Sequence, residues 1–178
     1  ILRLSAIMGI GNHKVSGIIF HVPLETPMEI CTVRDTARAF VNAPDHLDQL
    51  NKRIFNLGGG STCRISYHDF LSQAFQSFGM GKVNFPKYTF ATMNFHCGYF
   101  MDGDDLEEIL HFQSDDLESY FERFHASVPP IQRFFTRPFA VIAKWYLRTL
   151  SEPYKAYKTK NKEEMMRFFG TSNLNEHE

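Results

Sequence analysis

One short segment constrains the fold of this chain more than any other, because it changes from strand to helix and back to strand. The apolar run Met28–Val33 is rich in β-forming residues, and Asp35 is a suitable N-cap for a helix over Thr36–Asn42. Arg53–Leu57 is a second short strand, and the glycines Gly58–Gly60 that follow it let the backbone turn freely. A strand–helix–strand order with short connections predicts an α/β layer rather than a helical bundle or a β-sandwich.

Length, composition and charge limit the classes of protein to which the chain can belong. A chain of 178 residues, 43% of them hydrophobic, can bury one core, so one domain is the default. The formal net charge of −1 argues against a general nucleic-acid binder. No apolar run reaches the roughly 18 residues of a membrane span, and no signal-peptide pattern opens the chain. We therefore expect a cytoplasmic protein with no nucleic-acid partner and no transmembrane segment.

The cysteines and histidines show no pattern typical of a disulfide framework or of a metal site. Cys31, Cys63 and Cys97 are odd in number, widely spaced and without a CxxC pair, which fits reduced thiols in a cytoplasm. The histidines His13, His21, His68 and His96 complete no metal-ligand spacing with these cysteines. We expect no bound metal.

Elsewhere, hydrophobic periodicity and capping residues predict further strands and helices. Ile1–Met8 and Val83–Phe85 are strand candidates. Ser66, with Asp69 three residues later, predicts the start of a helix over Tyr67–Phe78. Three more helices are predicted: one beginning at Asp102, one capped by Ser114, and one over Ile131–Leu150 that is interrupted or kinked near Pro138.

Charge is distributed unevenly along the second half of the chain. The segment from Asp102 to Glu122 holds nine acidic residues and no Lys or Arg. The segment from Ile131 to Lys162 has a single acidic residue, Glu152, and eight basic residues: Arg133, Arg137, Lys144, Arg148, Lys155, Lys158, Lys160 and Lys162. The two segments could attract each other, or the basic helix could face a partner.

Four segments of the first two thirds of the chain together resemble a known family. They are RLSAIMG at Arg3–Gly9, TVRDTARAF at Thr32–Phe40, FNLGGG at Phe55–Gly60 and DGDDLEEILHF at Asp102–Phe112. Their order and spacing resemble the C-terminal half of the extended short-chain dehydrogenases/reductases, the NAD-dependent epimerase/dehydratase family. The resemblance implies an α/β fold, in which residues 1–125 form part of a Rossmann-type parallel sheet and a small α/β substrate lobe. The resemblance does not cover the rest of the chain, where the residues themselves predict a helical extension over 126–172 and a disordered tail over 173–178.

The resemblance also implies that catalytic parts of such an enzyme belong before Ile1. The family's glycine-rich dinucleotide fingerprint, its catalytic Ser/Thr and its Tyr-x-x-x-Lys pair all precede the first matching strand. Tyr154 and Lys158 have that spacing, but they lie far after the strand, and a solvated lysine-rich helix explains them better. We therefore assign no catalytic residue, and we expect NAD or NADP to bind the full-length parent and not this fragment alone.

Some contacts with cofactor and substrate are nevertheless implied by the resemblance. Leu4, Ser5 and Ala6 would pass the nicotinamide end of the cofactor, unless they are only residues at a strand end. Ala6 and Met28 stand where sugar-nucleotide epimerases carry an asparagine and an arginine, and both differences weaken the case for a nucleotide-sugar substrate. Arg34 could replace the missing arginine, or it could face solvent at the start of its helix.

Two further features have both a binding and a structural interpretation. The aromatic region that contains Tyr88 and Tyr99 could line a substrate pocket, or its rings could belong to the core. Gly58–Gly60, with Ser61 and Thr62, could cradle a phosphate, although a plain tight connection fits the spacing better.

Two hypotheses of different class follow from the sequence. In the first, the chain is the substrate-binding half of an NAD(P)-dependent epimerase, dehydratase or reductase that acts on a small molecule. In the second, it is a non-catalytic binding or oligomerisation module, in which basic aromatic C-terminal helices contact a partner or a second copy of the chain.

Overall fold

The protein was studied as a computed structural model that describes residues 1–11, 16–93, 95 and 97–171. The chain forms two compact units, each made of three segments. Unit 1 comprises Ile1–His13, Pro27–Ile65 and Cys97–Ser127, and unit 2 comprises Lys14–Thr26, Ser66–His96 and Val128–Glu178. The tail that is predicted to be disordered lies outside the described residues. The predicted division at residues 125 and 172 stays a prediction.

Five short strands form two small sheets in the described part of the chain. The strands are β1 (Leu2–Leu4), β2 (Ala6–Met8), β3 (Pro27–Thr32), β4 (Phe55–Leu57) and β5 (Arg64–Ser66). β1 pairs with β4 in parallel, with Arg3 opposite Asn56. β2 pairs with β3 in parallel, with Ile7 opposite Cys31, and β5 lies on the other side of β3. The predicted α/β class with a small parallel sheet is confirmed.

The helix α1 (Val33–Asn42) follows β3 directly and begins earlier than the sequence predicts. Its N-cap is Thr32, whose Oγ1 accepts a hydrogen bond of 3.1 Å from the backbone N–H of Asp35. The prediction that Asp35 caps the helix is therefore wrong. Because the threonine hydroxyl already satisfies the amide in the first turn, the Asp35 carboxylate is free to bind elsewhere.

A compact apolar core lies between the strands and helices of unit 1. The helices here are α1, the single turn α2 (Leu47–Leu50), α4 (Asp104–Leu110) and α5 (Leu117–Ser127). The buried side chains of this core are Cys31, Ala39, Phe55, Leu57, Leu106, Leu110 and Phe112. α4 begins two residues after the predicted Asp102. Ser114 does not cap α5, since Asp116 Oδ1 accepts the N–H of Ser119 at 2.8 Å instead.

Unit 2 is mostly helical. Its helices are α3 (Tyr67–Ser77), α6 (Pro130–Thr149), α7 (Glu152–Thr159) and α8 (Lys162–Phe169). Ser66 caps α3 by accepting the N–H of Asp69 at 3.1 Å, as predicted. Val83–Phe85 is irregular, so the predicted strand is wrong there. α6 continues through Pro138, so the predicted interruption is wrong, while the alternative of a kink there stays a prediction. The unit's core packs Tyr88 and Ala91 against side chains of α7 and α8.

The burial of two cysteines gives a prediction about thiol chemistry. Burial raises the pKa of Cys31 to about 11 and that of Cys63 to about 12, whereas Cys97 is only half-buried. Below these values both buried thiols stay protonated, and only the thiolate is nucleophilic. At pH 8 we expect Ellman's reagent to titrate one thiol rapidly and the other two only after unfolding in urea. Cys97→Ser should abolish the rapid phase, and three rapid thiols would contradict the buried positions.

Candidate functional site

The chain changes its pairing partner at Ser5, which separates β1 from β2. The preceding residues pair with β4 and the following residues with β3, while Ser5 N–H still donates to Leu57 O of β4 at 3.0 Å. In open parallel sheets, ligands bind outside the carboxyl ends of the strands, where the strand order changes, and Ser5 follows the carboxyl end of β1 beside that of β4. The Ser5 strand switch is therefore the position in unit 1 at which the topology favours a ligand.

The side chain of Ser5 supports this assignment. Its Oγ is buried, and it has no hydrogen-bond partner among the residues that the structure describes. A buried hydroxyl without a partner costs about 1–3 kcal/mol, so native proteins usually supply one. Leu4 beside it is 47% exposed, which gives the switch an open side. The Ser5 hydroxyl could therefore form a hydrogen bond with a polar group of a ligand. Ser5 is also one of the residues that the resemblance places near the nicotinamide.

A buried carboxylate links the glycine turn after β4 to the neighbouring sheet. Glu29 lies in β3 and is fully buried. Its Oε1 accepts the N–H of Gly60 at 3.2 Å, and its Oε2 accepts Nε–H of Arg64 at 2.9 Å. A Cβ at Gly58 would overlap this carboxylate, which explains the need for glycine. The glycine turn therefore binds the Glu29 carboxylate. This contact occupies the Gly60 N–H, which a phosphate cradle would need as a donor.

Arg64 connects this buried pair to the surface. Its Nη2 donates to Phe100 O at 3.0 Å, and its guanidinium carbon lies 4.4 Å from the centre of the Tyr99 ring. Tyr99, a predicted substrate residue, is 45% exposed. Arg64 Nη1 has no partner within the described part of the chain. The Arg64–Tyr99 face thus offers hydrogen-bond donors and an aromatic surface together.

Neither Glu29 nor Arg64 is among the site residues predicted from the sequence. The resemblance implies an arginine at the position of Met28, but Met28 is buried in the core. One available signal was the charge of Glu29 inside an otherwise apolar strand, because a buried carboxylate needs a charged or donating partner. Nothing in the sequence spacing identifies Arg64 as that partner.

The predicted substrate residue Arg34 lies at a different carboxylate. Its side chain is 63% exposed, and its Nη1 is 3.9 Å from Asp115 Oδ1. Asp115 is buried and binds more tightly to Thr32 Oγ1, at 2.7 Å, and to Arg123 Nη2, at 2.8 Å. Arg34 therefore keeps most of its donors available to solvent or to a ligand.

A second buried aspartate joins the start of α1 to the segment after α4. Asp35 Oδ2 accepts the backbone N–H groups of Ser114 at 3.1 Å and Asp115 at 2.9 Å. Its Oδ1 accepts Arg38 Nη1 at 2.7 Å and Ser114 Oγ at 3.0 Å. We call this set the Asp35 junction. Arg38 Nη1 also donates to Phe112 O at 2.7 Å, so the junction brings together two of the segments that carry the family resemblance, TVRDTARAF and DGDDLEEILHF.

Tyr88, the remaining predicted substrate residue, belongs to unit 2. It is buried, and its ring stacks on Tyr157 of α7 with the ring centres 4.3 Å apart. It also lines an open cavity of about 380 Å³ whose walls are residues 23–25 and 83–92. Leu4, Ser5, Ala6, Arg34 and Tyr99 all belong to unit 1. The structure thus divides the predicted site residues between the two units.

Comparisons with known proteins give structural likenesses but no sequence match. Neither a scan against protein-family models nor a search of curated proteins gives a match. Among solved structures, the chain is similar to UDP-N-acetylglucosamine 4-epimerase from Bacillus cereus, with 21% sequence identity and a TM-score of 0.45. The likeness covers 70% of this chain and 41% of the epimerase chain, so the chain spans less than half of that structure's length.

Proposed function

We propose that the chain is the substrate-binding half of an NAD(P)-dependent epimerase, dehydratase or reductase. The catalytic Tyr-x-x-x-Lys pair and the dinucleotide fingerprint would then lie upstream of Ile1 in the full-length parent. The observation that carries the proposal is the unpartnered, buried Oγ of Ser5, at the strand switch where the resemblance places the cofactor. The Asp35 junction adds support, because it joins two of the resembling segments in space.

When bound, NAD(P) would take up or supply a hydride, and this chain would orient the nicotinamide end of the cofactor. The Ser5 hydroxyl can both donate and accept, so it suits an amide group such as the carboxamide of nicotinamide. Leu4 and Ala6 flank it and would contact the same end of the cofactor. A cytoplasmic location agrees with three unpaired thiols.

The substrate class follows from the charges around Arg64. Glu29 lies 2.9 Å from Arg64 and neutralises its formal charge. The face with Tyr99 is therefore better suited to hydroxyl groups or one carboxylate than to a diphosphate, which needs unpaired guanidinium groups. Met28 and Ala6, which stand where an arginine and an asparagine would be expected, favour the same choice. Arg34 and Tyr88 are secondary candidates for substrate contact.

Two measurements test the proposal. We expect the sequence upstream of Ile1 to encode a strand with G-x-x-G-x-x-G and a Tyr-x-x-x-Lys pair, and a parent without both would refute the enzyme. In a fluorescence titration, the parent should bind NADH or NADPH, and Ser5→Ala should weaken binding about threefold to tenfold through one lost hydrogen bond.

The matched control is Ser16→Ala, since Ser16 is exposed and its side chain makes no capping hydrogen bond. Its affinity for the cofactor should equal that of the unaltered parent. Unchanged affinity in Ser5→Ala would place the cofactor elsewhere. If the 178-residue chain alone bound NADH or NADPH with the affinity of the parent, this result would also show that the cofactor site is misplaced.

A further inference from the structure

The helix α6 exposes its most apolar face to solvent. The exposed apolar side chains are Ile131, Phe134, Phe135, Phe139, Val141, Ile142, Trp145 and Tyr146. Phe134 is 73% exposed, Val141 79% and Trp145 58%. At about 100° per residue these positions fall within one half of the helix circumference, and Pro138 lies among them. We call this surface the α6 apolar face.

The basic residues of α6 lie together along one edge of the α6 apolar face. Arg133 donates to Val128 O at 2.7 Å, and Lys144 Nζ donates to Lys82 O at 2.7 Å. Arg148 lies over the ring of Tyr154, 5.1 Å from its centre. Leu147 is the only fully buried residue of the helix. A surface helix of a globular protein normally buries its apolar stripe, so this orientation is inverted.

The size of the face means that something should cover it. A helix of 20 residues is about 30 Å long, and its apolar side chains are contiguous along that length. Soluble monomers rarely expose apolar patches of more than a few hundred Å², and larger patches usually mark a protein or membrane contact.

Charge favours one of these occupants. α6 contains no acidic residue, and its basic residues Arg133, Arg137, Lys144 and Arg148 line one flank of the apolar face. From Ile131 to Lys162 there are eight basic residues against Glu152 alone. A second copy would bring the same positive charge against this flank, whereas an anionic lipid surface would neutralise it.

The composition of the face agrees with a lipid interface. Tryptophan and tyrosine are enriched at the level of lipid headgroups, and phenylalanine and isoleucine insert among acyl chains. None of the helices within the described ranges is long and apolar enough to cross a bilayer. A helix of this kind lies in the plane of the interface.

We propose that α6 docks the protein on an anionic membrane surface, with its apolar face inserted below the headgroups and its basic flank against them. The inserted residues would be Phe134, Phe135, Phe139, Ile142 and Trp145. This proposal does not depend on the cofactor or substrate of unit 1.

Trp145 allows a direct test, because it is the only tryptophan of the chain. We expect its emission to shift to the blue when the full chain is mixed with phosphatidylcholine vesicles that contain about 30% phosphatidylserine. The chain should also sediment with these vesicles. Pure phosphatidylcholine should bind about tenfold more weakly, and high salt should weaken binding to the anionic vesicles by a similar factor.

A double variant tests whether the apolar face is responsible. Phe135→Asp with Phe139→Asp should weaken vesicle binding by at least about tenfold, since it puts two charges into the acyl region. Both side chains point into solvent, so the far-ultraviolet circular dichroism should not change. Val41→Asp is the matched control, because Val41 is 73% exposed in unit 1 and should leave binding unchanged. Arg137→Gln should weaken only the binding to anionic vesicles.

Other outcomes would overturn the proposal. If the chain neither sediments with anionic vesicles nor shifts its emission, α6 does not bind lipid. If light scattering shows a dimer that the double variant converts to a monomer, and vesicles have no effect, the face is a contact between copies. Equal loss of binding in the Val41→Asp control would point to non-specific adsorption.

Discussion

Replacing Asp35 by alanine is expected to lower the free energy of unfolding by about 3–5 kcal/mol, because it removes one side of a buried ionic network. The carboxylate is fully buried and accepts hydrogen bonds from the amides of Ser114 and Asp115 and from Arg38. Without it, two backbone donors lose their partner in the core, and the Arg38 guanidinium loses its counter-charge. Urea denaturation followed by circular dichroism measures the loss.

The chain offers matched comparisons for this change. Asp48→Ala removes an exposed carboxylate and should change stability by less than about 0.5 kcal/mol. Asp35→Asn keeps an acceptor for the amides but removes the charge beside Arg38, so its stability should lie between those of the alanine variant and the unaltered chain. A stability of Asp35→Ala within error of Asp48→Ala would show that the Asp35 junction contributes nothing.

Glu29→Ala is expected to lower the free energy of unfolding by about 3 kcal/mol, because it too removes a buried carboxylate. The substitution leaves the Gly60 amide unpaired and removes the partner of Arg64, whose charge is then held beside an empty space. The exposed Glu108 in α4 provides the control, and Glu108→Ala should have little effect.

A double-mutant cycle separates the ion pair from the rest of this effect. Glu29→Leu combined with Arg64→Leu removes both charges, so it should be less destabilising than Glu29→Leu alone. The coupling between the two positions should be about 1–3 kcal/mol. Zero coupling in the urea midpoints would mean that the pair at 2.9 Å makes no net contribution.

Much of the fold was predictable because local signals determine it. The apolar run at β3, the short strand before Gly58 and the Ser66 cap of α3 each depend on neighbours in sequence. The α1 cap was mispredicted because Thr32 and Asp35 are both good capping residues. Asp35 binds the amide of Ser114 instead of capping the helix, and Ser114 is 79 residues away in the sequence.

The candidate site was predictable only in part. The resemblance pointed to Ser5, but only the three-dimensional structure gives its hydroxyl a buried position without a partner. Arg64 and Glu29 are 35 residues apart, and no sequence period connects them. In α6 the sequence gives the alternation of aromatic and basic residues, but it cannot say which side faces inward, because that depends on what the helix packs against.

The Asp35 junction also has a consequence for the order in which the molecule is made. Its two backbone donors lie 79 and 80 residues after Asp35, and the three segments of unit 1 are separated by segments of unit 2. On the ribosome, β1 and β2 emerge before the rest of unit 1, but they cannot complete their packing until Ser114 and the α5 residues after it have been released. Contacts this distant in sequence slow folding, since a long loop must close before they can form. We infer that the strand edges of nascent unit 1 stay unpaired for a long interval during synthesis. Over that interval, unit 1 depends on dilution or chaperones to avoid aggregation.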